Sequence, residues 1–470
     1  MERSATTLGE LRASGYRSRS VKQELRANLI GRLTSEQQVF GGIVGYDETV
    51  IPALENAVLA GHDVCLLGER GQAKTRLARM LVNLLDERVP VVAGGELNDD
   101  PLAPISPTAR ALVAEQGDAT PIDWLPRDRR YSEKLATPDI TIADLIGEVD
   151  PIKVAEGRYL ADEATIHYGL IPRANRGIFT LNELPDLAER IQVGLLNILE
   201  ERDVQVRGYT LRLPLDLYVV ASANPEDYTS RGRIITPLKD RLGSQIRTHY
   251  PRTIDDEIAI MRQERAVFVG ESQADEPAVE VPHFMLELVA ELSQLARRSP
   301  DISQRSGVSV RVSIANLEVL EAAALKRAVR LGEPRGVPRI SDLPALVAST
   351  AGKIELESIG DDVAEERVVD RLLARAVANV FARTIDIDQL DAVVEAFDAG
   401  LVLETGDLVP SSDYARWARE VNGLGQAIGG LGAASSDADL AAAVELMLEG
   451  LHLNRRLNKD RTVAGARYRG

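Results

Sequence analysis

Residues 64–75 decide the fold of this chain, and they read Val64-Cys65-Leu66-Leu67-Gly68-Glu69-Arg70-Gly71-Gln72-Ala73-Lys74-Thr75. A short apolar run ends at a glycine, and Lys74 and Thr75 then begin a helical pattern. This arrangement is typical of a phosphate-binding loop, in which backbone N–H groups surround the phosphates of a nucleotide. In such a loop Lys74 reaches the β- and γ-phosphate oxygens, and the Thr75 hydroxyl holds Mg²⁺. The usual pattern has glycine where this chain has Ala73. An ordinary strand-to-helix turn with an exposed lysine is therefore the alternative for this segment alone.

The composition is that of a globular protein with an acidic surface. The 470 residues are 44% apolar and 27% charged, with a formal net charge of −17. A protein that grips DNA by its phosphates usually has the opposite balance, so a dedicated nucleic-acid binder is not expected. The single cysteine permits no internal disulfide, and the five histidines show no metal-ligand spacing. No apolar run approaches the ~20 residues that span a bilayer, and we expect a cytoplasmic protein.

Changes in the sequence pattern divide the chain into four predicted segments. Residues 1–40 are polar and predict an N-terminal helical arm. Residues 41–250 alternate short β-rich runs with helical patterns, which predicts an α/β domain with a parallel sheet between helices. Residues 251–400 repeat apolar positions at helical spacing and predict an α-helical lid domain. Residues 401–470 predict a C-terminal helical extension with a Gly-rich linker and a solvated, poorly ordered basic tail.

Inside the predicted α/β domain the pattern distinguishes strands from one long loop. The clearest predicted strands are Asp63–Leu67, Gly177–Leu181 and Leu217–Ala221. Residues 94–140 are rich in Pro, Asp and Gly, which predicts a functional or partly disordered loop.

A second motif follows the strand that begins at Gly177. The strand ends in Asn182 and Glu183. An acidic pair at this place usually positions a Mg²⁺-bound water and polarises the attacking water. Glu183 can polarise the water, whereas Asn182 can orient a metal-bound water through its oxygen but brings no negative charge. From the sequence we therefore expect Asn182→Asp to strengthen Mg²⁺ binding or turnover. For Glu183 alone, a helix-start carboxylate stabilised by the helix dipole is the alternative.

Two further residues complete the pattern. Asn224 follows a predicted strand and precedes Pro225, which places its amide at the carboxyl edge of a parallel sheet. There it can bind the γ-phosphate or the attacking water, although Asn-Pro by itself only predicts a turn. Arg241 can act as an arginine finger on the γ-phosphate of a neighbouring subunit. A surface ion pair with Asp240 is the alternative for Arg241 alone.

The order of these elements resembles the AAA+ ATPases, over residues 41 to 330. Gly68 to Thr75, including Gly71 and Gln72, resembles Walker A, and Leu181 to Glu183 resembles Walker B. Asn224 resembles sensor 1, and Arg241 resembles the arginine finger. The resemblance implies ATP and Mg²⁺ as cofactors, with Thr75 and Asn182 at the metal. It also implies that Val44 and Gly45 pack near the adenine and that Arg311 contacts the nucleotide as sensor 2.

Two insertions are similar to those of magnesium-chelatase I subunits and MoxR-type ATPases. The segments Leu145–Asp150, Glu156–Leu160 and Gly169–Gly177 resemble the helix-2 insert of that clade. Residues Val204–Leu213 alternate around a glycine and resemble its pre-sensor-1 hairpin. The resemblance implies a hexameric ring whose ATP hydrolysis moves these inserts and remodels a partner with a von Willebrand factor A domain.

Two other functions remain open on the sequence. A nucleotide-gated scaffold that scarcely hydrolyses ATP would fit the two departures at Ala73 and Asn182. A DNA-directed motor or transcription activator would fit the inserted hairpins, because helicases and σ54-type activators share them. The acidic balance and the absence of a Gly-Ala-Phe-Thr-Gly-Ala loop count against the latter.

Overall fold

The computed structural model comprises two compact units, residues 1–249 and 250–470. It describes residues 5–149, 166–200, 213–224, 232–266, 276–303, 307–357, 365–429, 436–462 and 465–470. The first unit contains nine described strands: β1 (Val64–Leu67), β2 (Arg88–Val92), β3 (Ile122–Pro126), β4 (Tyr131–Leu135), β5 (Gly147–Val149), β6 (Ile166–Tyr168), β7 (Gly177–Asn182), β8 (Leu217–Ala223) and β9 (Ser244–Arg247). The helices described in the same unit are α1 (Leu8–Ala13), α2 (Val21–Thr34), α3 (Val50–Ala60), α4 (Lys74–Met80), α5 (Pro107–Gln116), α6 (Ile142–Leu145), α7 (Leu170–Arg173), α8 (Glu189–Glu200) and α9 (Thr236–Arg241).

A five-stranded parallel sheet forms the centre of the first unit. Its strands lie in the order β4-β7-β8-β1-β9, and every pairing is parallel. Strands β1, β7 and β8 are buried along their whole length, as expected of parallel strands covered on both faces. The three strands predicted most clearly from the sequence are these three. The predicted α/β fold class, with a helical part after it, is confirmed.

One face of the sheet is covered by α2, α3 and α4. Leu25 of α2, Leu54 of α3 and Leu77 of α4 share one apolar core with Leu66 and Val220 of the sheet. The N-terminal segment is therefore part of this unit's core.

A buried ion pair joins the same segment to the sheet. The Arg130 guanidinium donates to both carboxylate oxygens of Glu24, at 2.7 and 2.6 Å. Both side chains are almost fully buried. The backbone N–H of Val21, the first residue of α2, donates to the Asp216 carboxylate at 2.9 Å. These contacts connect α2 to the residues that immediately precede β4 and β8.

The opposite face of the sheet is covered by α8 and α9. Ile191 and Leu195 of α8 and Leu238 of α9 pack against Phe179 and Val219 of the sheet. This second core fixes α9, which precedes β9, on the face away from α4.

The prediction that residues 94–140 form a loop is wrong, because most of these residues are in helices and strands. It contains α5, β3 and β4, and β2 pairs with β3 in antiparallel register. Strand β4 is an edge strand of the central sheet. The prolines misled the prediction because Pro107 lies at the first turn of α5, where a missing N–H costs nothing.

Part of the predicted helix-2 insert lies in the described residues. Strands β5 and β6 pair in antiparallel register, and α7 follows them directly. The segment Glu156–Leu160 lies outside the described residues, as does the predicted hairpin Val204–Leu213 apart from Leu213.

The second unit is mainly helical. Its described helices are α10 (Ile254–Glu264), α11 (His283–Arg298), α12 (Val310–Leu331), α13 (Leu346–Thr350), α14 (Glu365–Thr384), α15 (Asp391–Asp398), α16 (Ser411–Glu420), α17 (Leu424–Gly429) and α18 (Asp437–Leu453). Helix α18 is buried on nearly all sides and is part of this unit's core. Two short strands, β10 (Ala278–Val279) and β11 (Arg335–Gly336), pair in parallel. None of the described helices in either unit has the length and apolarity that crossing a membrane requires.

The C-terminal residues form a small sheet, so the expectation of a solvated, poorly ordered tail is wrong. Strands β12 (Val402–Gly406), β13 (Asn458–Thr462) and β14 (Gly465–Arg469) pair in antiparallel register, with β14 in the middle. Tyr468 is buried, while Arg467 and Arg469 alternate with it and form ion pairs with Glu404 and Asp460. The basic residues of the tail are thus the exposed face of a strand.

Candidate nucleotide site

The carboxyl ends of the parallel strands bring most of the predicted site residues to one edge of the first unit. Strands β1, β7, β8 and β9 all end there. Two backbone hydrogen bonds join these strand ends: Gly68 N–H to the Ala223 carbonyl at 3.1 Å, and Thr248 N–H to the Leu67 carbonyl at 2.7 Å. The edge carries Gly68 after β1, Asn182 and Glu183 at the end of β7, Asn224 after β8 and Thr248 after β9. In open α/β sheets this edge is where ligands bind.

The loop from Gly68 to Lys74 has the backbone shape of a phosphate-binding loop. Gly71 has φ +78° and Ala73 has φ +55°, so the backbone of both residues is in the left-handed conformation. Glycine adopts this conformation without steric cost, whereas alanine pays roughly 1–2 kcal/mol for it. Ala73 immediately precedes α4, and Thr75 lies in the first turn of that helix, partly buried. The departure from the usual glycine therefore leaves the loop shape intact and adds strain to it.

Lys74 points back across the loop. Its side chain is buried, and Nζ donates to the carbonyl of Gly68 and to that of Glu69, the latter at 2.9 Å. An ammonium in contact with two loop carbonyls lies inside the turn that would enclose a phosphate. A phosphate oxygen is a stronger acceptor for it than a neutral carbonyl.

Gln72 braces the loop from the inside and does not project its side chain outward. Its Oε1 accepts from the Glu69 N–H at 3.1 Å and from the Thr248 hydroxyl at 2.7 Å. A Cβ at Gly68 would overlap both the Thr248 hydroxyl and this Oε1, so only glycine fits there. We expected Gln72 to contribute to ligand binding. Its buried side chain leaves only its backbone for that role.

The segment that contains Val44 and Gly45 is joined to the same loop through the next residue, Tyr46. The Tyr46 hydroxyl donates towards the Gln72 carbonyl at 3.0 Å and the His249 carbonyl at 2.8 Å. Burial raises the pKa of Tyr46 to about 12, so this hydroxyl keeps its proton at neutral pH. Val44 and Gly45 are partly exposed beside this contact.

Asn182 belongs to a partly buried polar network that crosses three strands. Its Nδ2 donates to Glu133 Oε1 of β4 at 2.8 Å, and its Oδ1 accepts from the Ser222 hydroxyl of β8 at 3.2 Å. Ser222 in turn accepts from the Glu183 N–H at 3.2 Å. Arg79 of α4 donates to both carboxylate oxygens of Glu133, at 2.8 and 3.1 Å.

Glu133 is ionised in this network. Partial burial raises the pKa of Glu133, but the hydrogen bonds from Arg79 and from the Tyr131 hydroxyl outweigh it and hold the pKa below its usual value. The carboxylate is therefore a pure acceptor at neutral pH.

Glu183 and Asn224 both carry features typical of functional positions. Glu183 is left-handed, with φ +55° and ψ +48°, a strained conformation for a non-glycine residue. The Oδ1 atom of Asn224 is buried and has no hydrogen-bond partner among the described residues. An orphaned buried acceptor is costly unless a ligand or water supplies a donor. The donor set at this edge, with the Lys74 ammonium and the Thr75 hydroxyl, fits a nucleoside triphosphate with Mg²⁺.

Two predicted site residues are not brought to this edge. Arg241 ends α9, three residues before β9, and its guanidinium donates to the Pro237 carbonyl at 2.9 Å. Because β9 pairs in parallel with β1, Arg241 lies at the amino edge, opposite the phosphate loop. Arg311 belongs to the second unit, where it is exposed in the first turn of α12.

Four residues of the site were not identified from the sequence: Glu133, Ser222, Thr248 and Tyr46. Tyr46 lay next to Val44 and Gly45 in a segment already singled out. Ser222 lay two residues before Asn224. Because side chains alternate along a strand, its side chain points to the opposite face from that of Ala223. Glu133 and Thr248 gave no signal, because neither strand pairing could be deduced from their local sequence.

Comparison with protein families gives a match over part of the first unit. A family model described as "Sigma-54 interaction domain" matches residues 154–244.

Curated relatives are magnesium-chelatase I subunits. Magnesium-chelatase subunit ChlI-1, chloroplastic, of Arabidopsis thaliana is 28% identical over 256 residues, which are 51% of this chain and 55% of the relative. The ChlI subunit of Oryza sativa subsp. japonica is 29% identical over 273 residues, 54% of this chain and 59% of the relative. The chain thus spans about half the length of the curated relatives it matches.

Similar solved structures have low identity. NtrX from Brucella abortus has 18% identity and a TM-score of 0.40, covering 76% of this chain and 67% of that one. A chain in the complex between subunits BchI and BchD of magnesium chelatase has 19% identity and a TM-score of 0.37, covering 70% of this chain and 98% of that one.

Proposed function

The chain is an AAA+ protein related to the magnesium-chelatase I subunits, and we propose that it is a ring-forming ATPase. In this proposal it couples Mg-ATP hydrolysis to the remodelling of a partner protein. The observation that carries the proposal is the shared carboxyl edge. One sheet edge combines the phosphate loop, in which two residues have the left-handed backbone conformation, with the buried Lys74. The same edge carries the strained Glu183 and Asn224, whose oxygen has no hydrogen-bond partner among the described residues.

The phosphate loop would bind the triphosphate. Lys74 would exchange its two loop carbonyls for β- and γ-phosphate oxygens, which are charged and therefore better acceptors. The Thr75 hydroxyl and the Asn182 oxygen would hold Mg²⁺, directly or through its waters. The metal would supply charge neutralisation at the phosphates. Val44 and Gly45 would pack near the adenine, as the family resemblance implies.

Glu183 and Asn224 would act on the attacking water. Glu183 would polarise it as a general base. The orphaned Oδ1 of Asn224 can only accept a hydrogen bond, so it suits a water proton and not a phosphate oxygen. This favours the attacking water over the γ-phosphate as the partner of that atom. The two residues would then fix the water from two strand ends.

The nucleotide site would be completed between subunits. Arg241 lies at the amino edge of the sheet and so would serve a neighbour's site in a ring, which the sequence resemblance implies is a hexamer. The role of Arg311 as a nucleotide contact rests on the resemblance of its segment to sensor 2. We infer a partner with a von Willebrand factor A domain from the resemblance of the inserts. The same resemblance supports a MoxR- or chelatase-like role as chaperone or metal-insertion motor.

Steady-state ATP hydrolysis across a protein concentration series tests the proposal. We expect turnover per subunit to rise with concentration and to vanish in Lys74→Ala and in Glu183→Gln. Lys74→Ala should also lose nucleotide binding, whereas Glu183→Gln should retain it. Tight, Lys74-dependent binding without turnover at any concentration would replace the motor by a nucleotide-gated scaffold.

A transcription activator is the second candidate, and the match to the Sigma-54 interaction domain favours it. The chain lacks the Gly-Ala-Phe-Thr-Gly-Ala loop that σ54 activators use, and its net charge is −17. Titration of labelled duplex DNA at several salt concentrations separates the candidates. Affinity that falls steeply with salt would support a DNA-directed role. Absence of binding at low salt would remove it.

A further inference from the structure

The network around Asn182 has a fixed direction. The Glu183 N–H donates to Ser222, the Ser222 hydroxyl donates to Asn182 Oδ1, and Asn182 Nδ2 donates to Glu133. Every donor in this series points towards the Glu133 carboxylate. Hydrogen bonds arranged head to tail, largely shielded from water, strengthen one another.

Glu133 alone decides this direction. The Ser222 hydroxyl can donate or accept, so it would tolerate either end of the Asn182 amide. A carboxylate can only accept. A flipped amide would place Oδ1 against Glu133 Oε1, two acceptors at the 2.8 Å now spanned by a hydrogen bond. Arg79 and the Tyr131 hydroxyl supply the remaining donors to this carboxylate and hold it in place.

We propose that Glu133 is a positioning residue for the metal side of the nucleotide site. It holds Asn182 so that its oxygen, the atom able to accept from a Mg²⁺-bound water, stays on the Ser222 side. Because Ser222 then donates to Asn182, its oxygen stays placed to accept the hydrogen bond from the backbone N–H of Glu183. This inference rests on the proposed function, because it assigns a supporting residue to that site. Asn182 lacks the negative charge of the usual Walker B aspartate, but Glu133 would hold its amide in one fixed orientation.

The structure also reverses the expectation for Asn182→Asp. An aspartate at 182 would place a second carboxylate against Glu133, where repulsion cancels the benefit of the added charge. When the same chain also carries Glu133→Gln, the glutamine amide can donate a hydrogen bond to the aspartate at 182. The two side chains then no longer repel each other. The effect of Asn182→Asp should therefore change sign with the residue at 133.

Nucleotide binding measured against Mg²⁺ concentration tests the inference without hydrolysis. The full-length chain is titrated with MgCl₂ in the presence of a fluorescent, non-hydrolysable ATP analogue. We expect Glu133→Gln to raise the Mg²⁺ concentration for half-maximal binding about tenfold, the scale of one charge-assisted hydrogen bond. Asn182→Asp alone should not lower it, and the double variant should return it to the wild-type value or below. Glu404→Gln, in the exposed cross-strand pair with Arg467, is the matched control and should change nothing.

Two further measurements separate positioning from folding. Analogue binding in EDTA and the melting temperature should be nearly unchanged in Glu133→Gln if the residue acts on the metal side. Should that variant not fold, Glu133→Asp keeps the charge but withdraws the carboxylate from Asn182. It should raise the Mg²⁺ requirement in the same direction.

Two outcomes overturn the inference while the proposed function stands. One is an unchanged Mg²⁺ requirement in both Glu133 variants. The other is an Asn182→Asp effect that is the same with Glu and Gln at 133. Analogue binding that does not depend on Lys74 would instead refute the proposed function, and this inference with it.

Discussion

The position of Arg241 predicts where the proposed ring would hydrolyse ATP. Arg241 precedes β9 at the amino edge of the sheet, and the phosphate loop follows β1 at the carboxyl edge. Strand β1 has four residues, which separate the two edges by about 13 Å at the usual rise per residue. The loop itself extends the distance. In the proposed ring Arg241 therefore would not reach the phosphate loop of its own subunit and would act on a neighbour's.

We expect Arg241→Ala to lower kcat by about a thousandfold or more, the scale measured for arginine fingers. Nucleotide affinity should change little, because Lys74 and the loop that would bind the phosphates stay intact in every subunit. The decisive assay mixes Arg241→Ala with Lys74→Ala in equal amounts. Each variant alone is inactive, but the mixed ring contains interfaces with an intact loop on one side and an intact arginine on the other. Random assembly makes about a quarter of the interfaces complete, so activity should return to about a quarter of wild type.

The control is Arg233→Ala, which removes an exposed arginine paired with Glu189 in the same unit. It should hydrolyse ATP at the wild-type rate. Normal turnover in Arg241→Ala would refute the reasoning directly. So would an inactive mixture, provided that the two variants are shown to assemble together. Loss of activity in Arg233→Ala, with Arg241→Ala active, would move the role to the other arginine.

Four other predictions concern the first unit. Ala73→Gly should raise the free energy of unfolding by about 1 kcal/mol, because glycine relieves the left-handed strain at φ +55°; a lower value in urea denaturation would contradict this. Thr248→Val removes the donor to Gln72 and should cost about 1–3 kcal/mol and weaken nucleotide binding, whereas Thr248→Ser should preserve both. Burial raises the pKa of Cys65 to about 12, so at pH 8 roughly one thiol in ten thousand is ionised and Ellman's reagent should react only as the protein unfolds. Rapid labelling of the native protein would show that the thiol is accessible. Glu24→Gln should cost about 3 kcal/mol, because it leaves the buried Arg130 without its counter-charge; Asp118→Asn, in an exposed ion pair with Arg12, is the control that should leave urea unfolding unchanged.

Much of the candidate nucleotide site was predictable because its signals are local. A glycine after an apolar run, followed by Lys74 and Thr75, specifies a turn into a helix whatever the rest of the chain does. Asn182, Glu183 and Asn224 follow apolar strands, and parallel strands present their carboxyl ends at a common edge. The residues 94–140 were harder. Proline at the start of α5 and at the end of β3 is compatible with regular structure, but composition alone favours a loop.

The remaining features depend on pairings between distant parts of the chain. Glu133 reaches Asn182 only because β4 lies beside β7, and Thr248 reaches Gln72 only because β9 lies beside β1. The tail from 465 to 469 becomes a strand only because β12 and β13 offer it two free edges. Short-range patterns do not encode such neighbours, since the hydrogen bonds and buried area that stabilise them come from other segments.

The sequence by itself determined the phosphate loop, the strands before Asn182 and Asn224, and the helical character of the second half. Each depends on steric and apolar preferences over a few consecutive residues. Only the tertiary structure decided that Asn182 is oriented by Glu133, that Gln72 braces the loop from within, and that Arg241 lies at the far edge. Strand order sets all three, and it is selected by the packing of the whole sheet between its two helical layers.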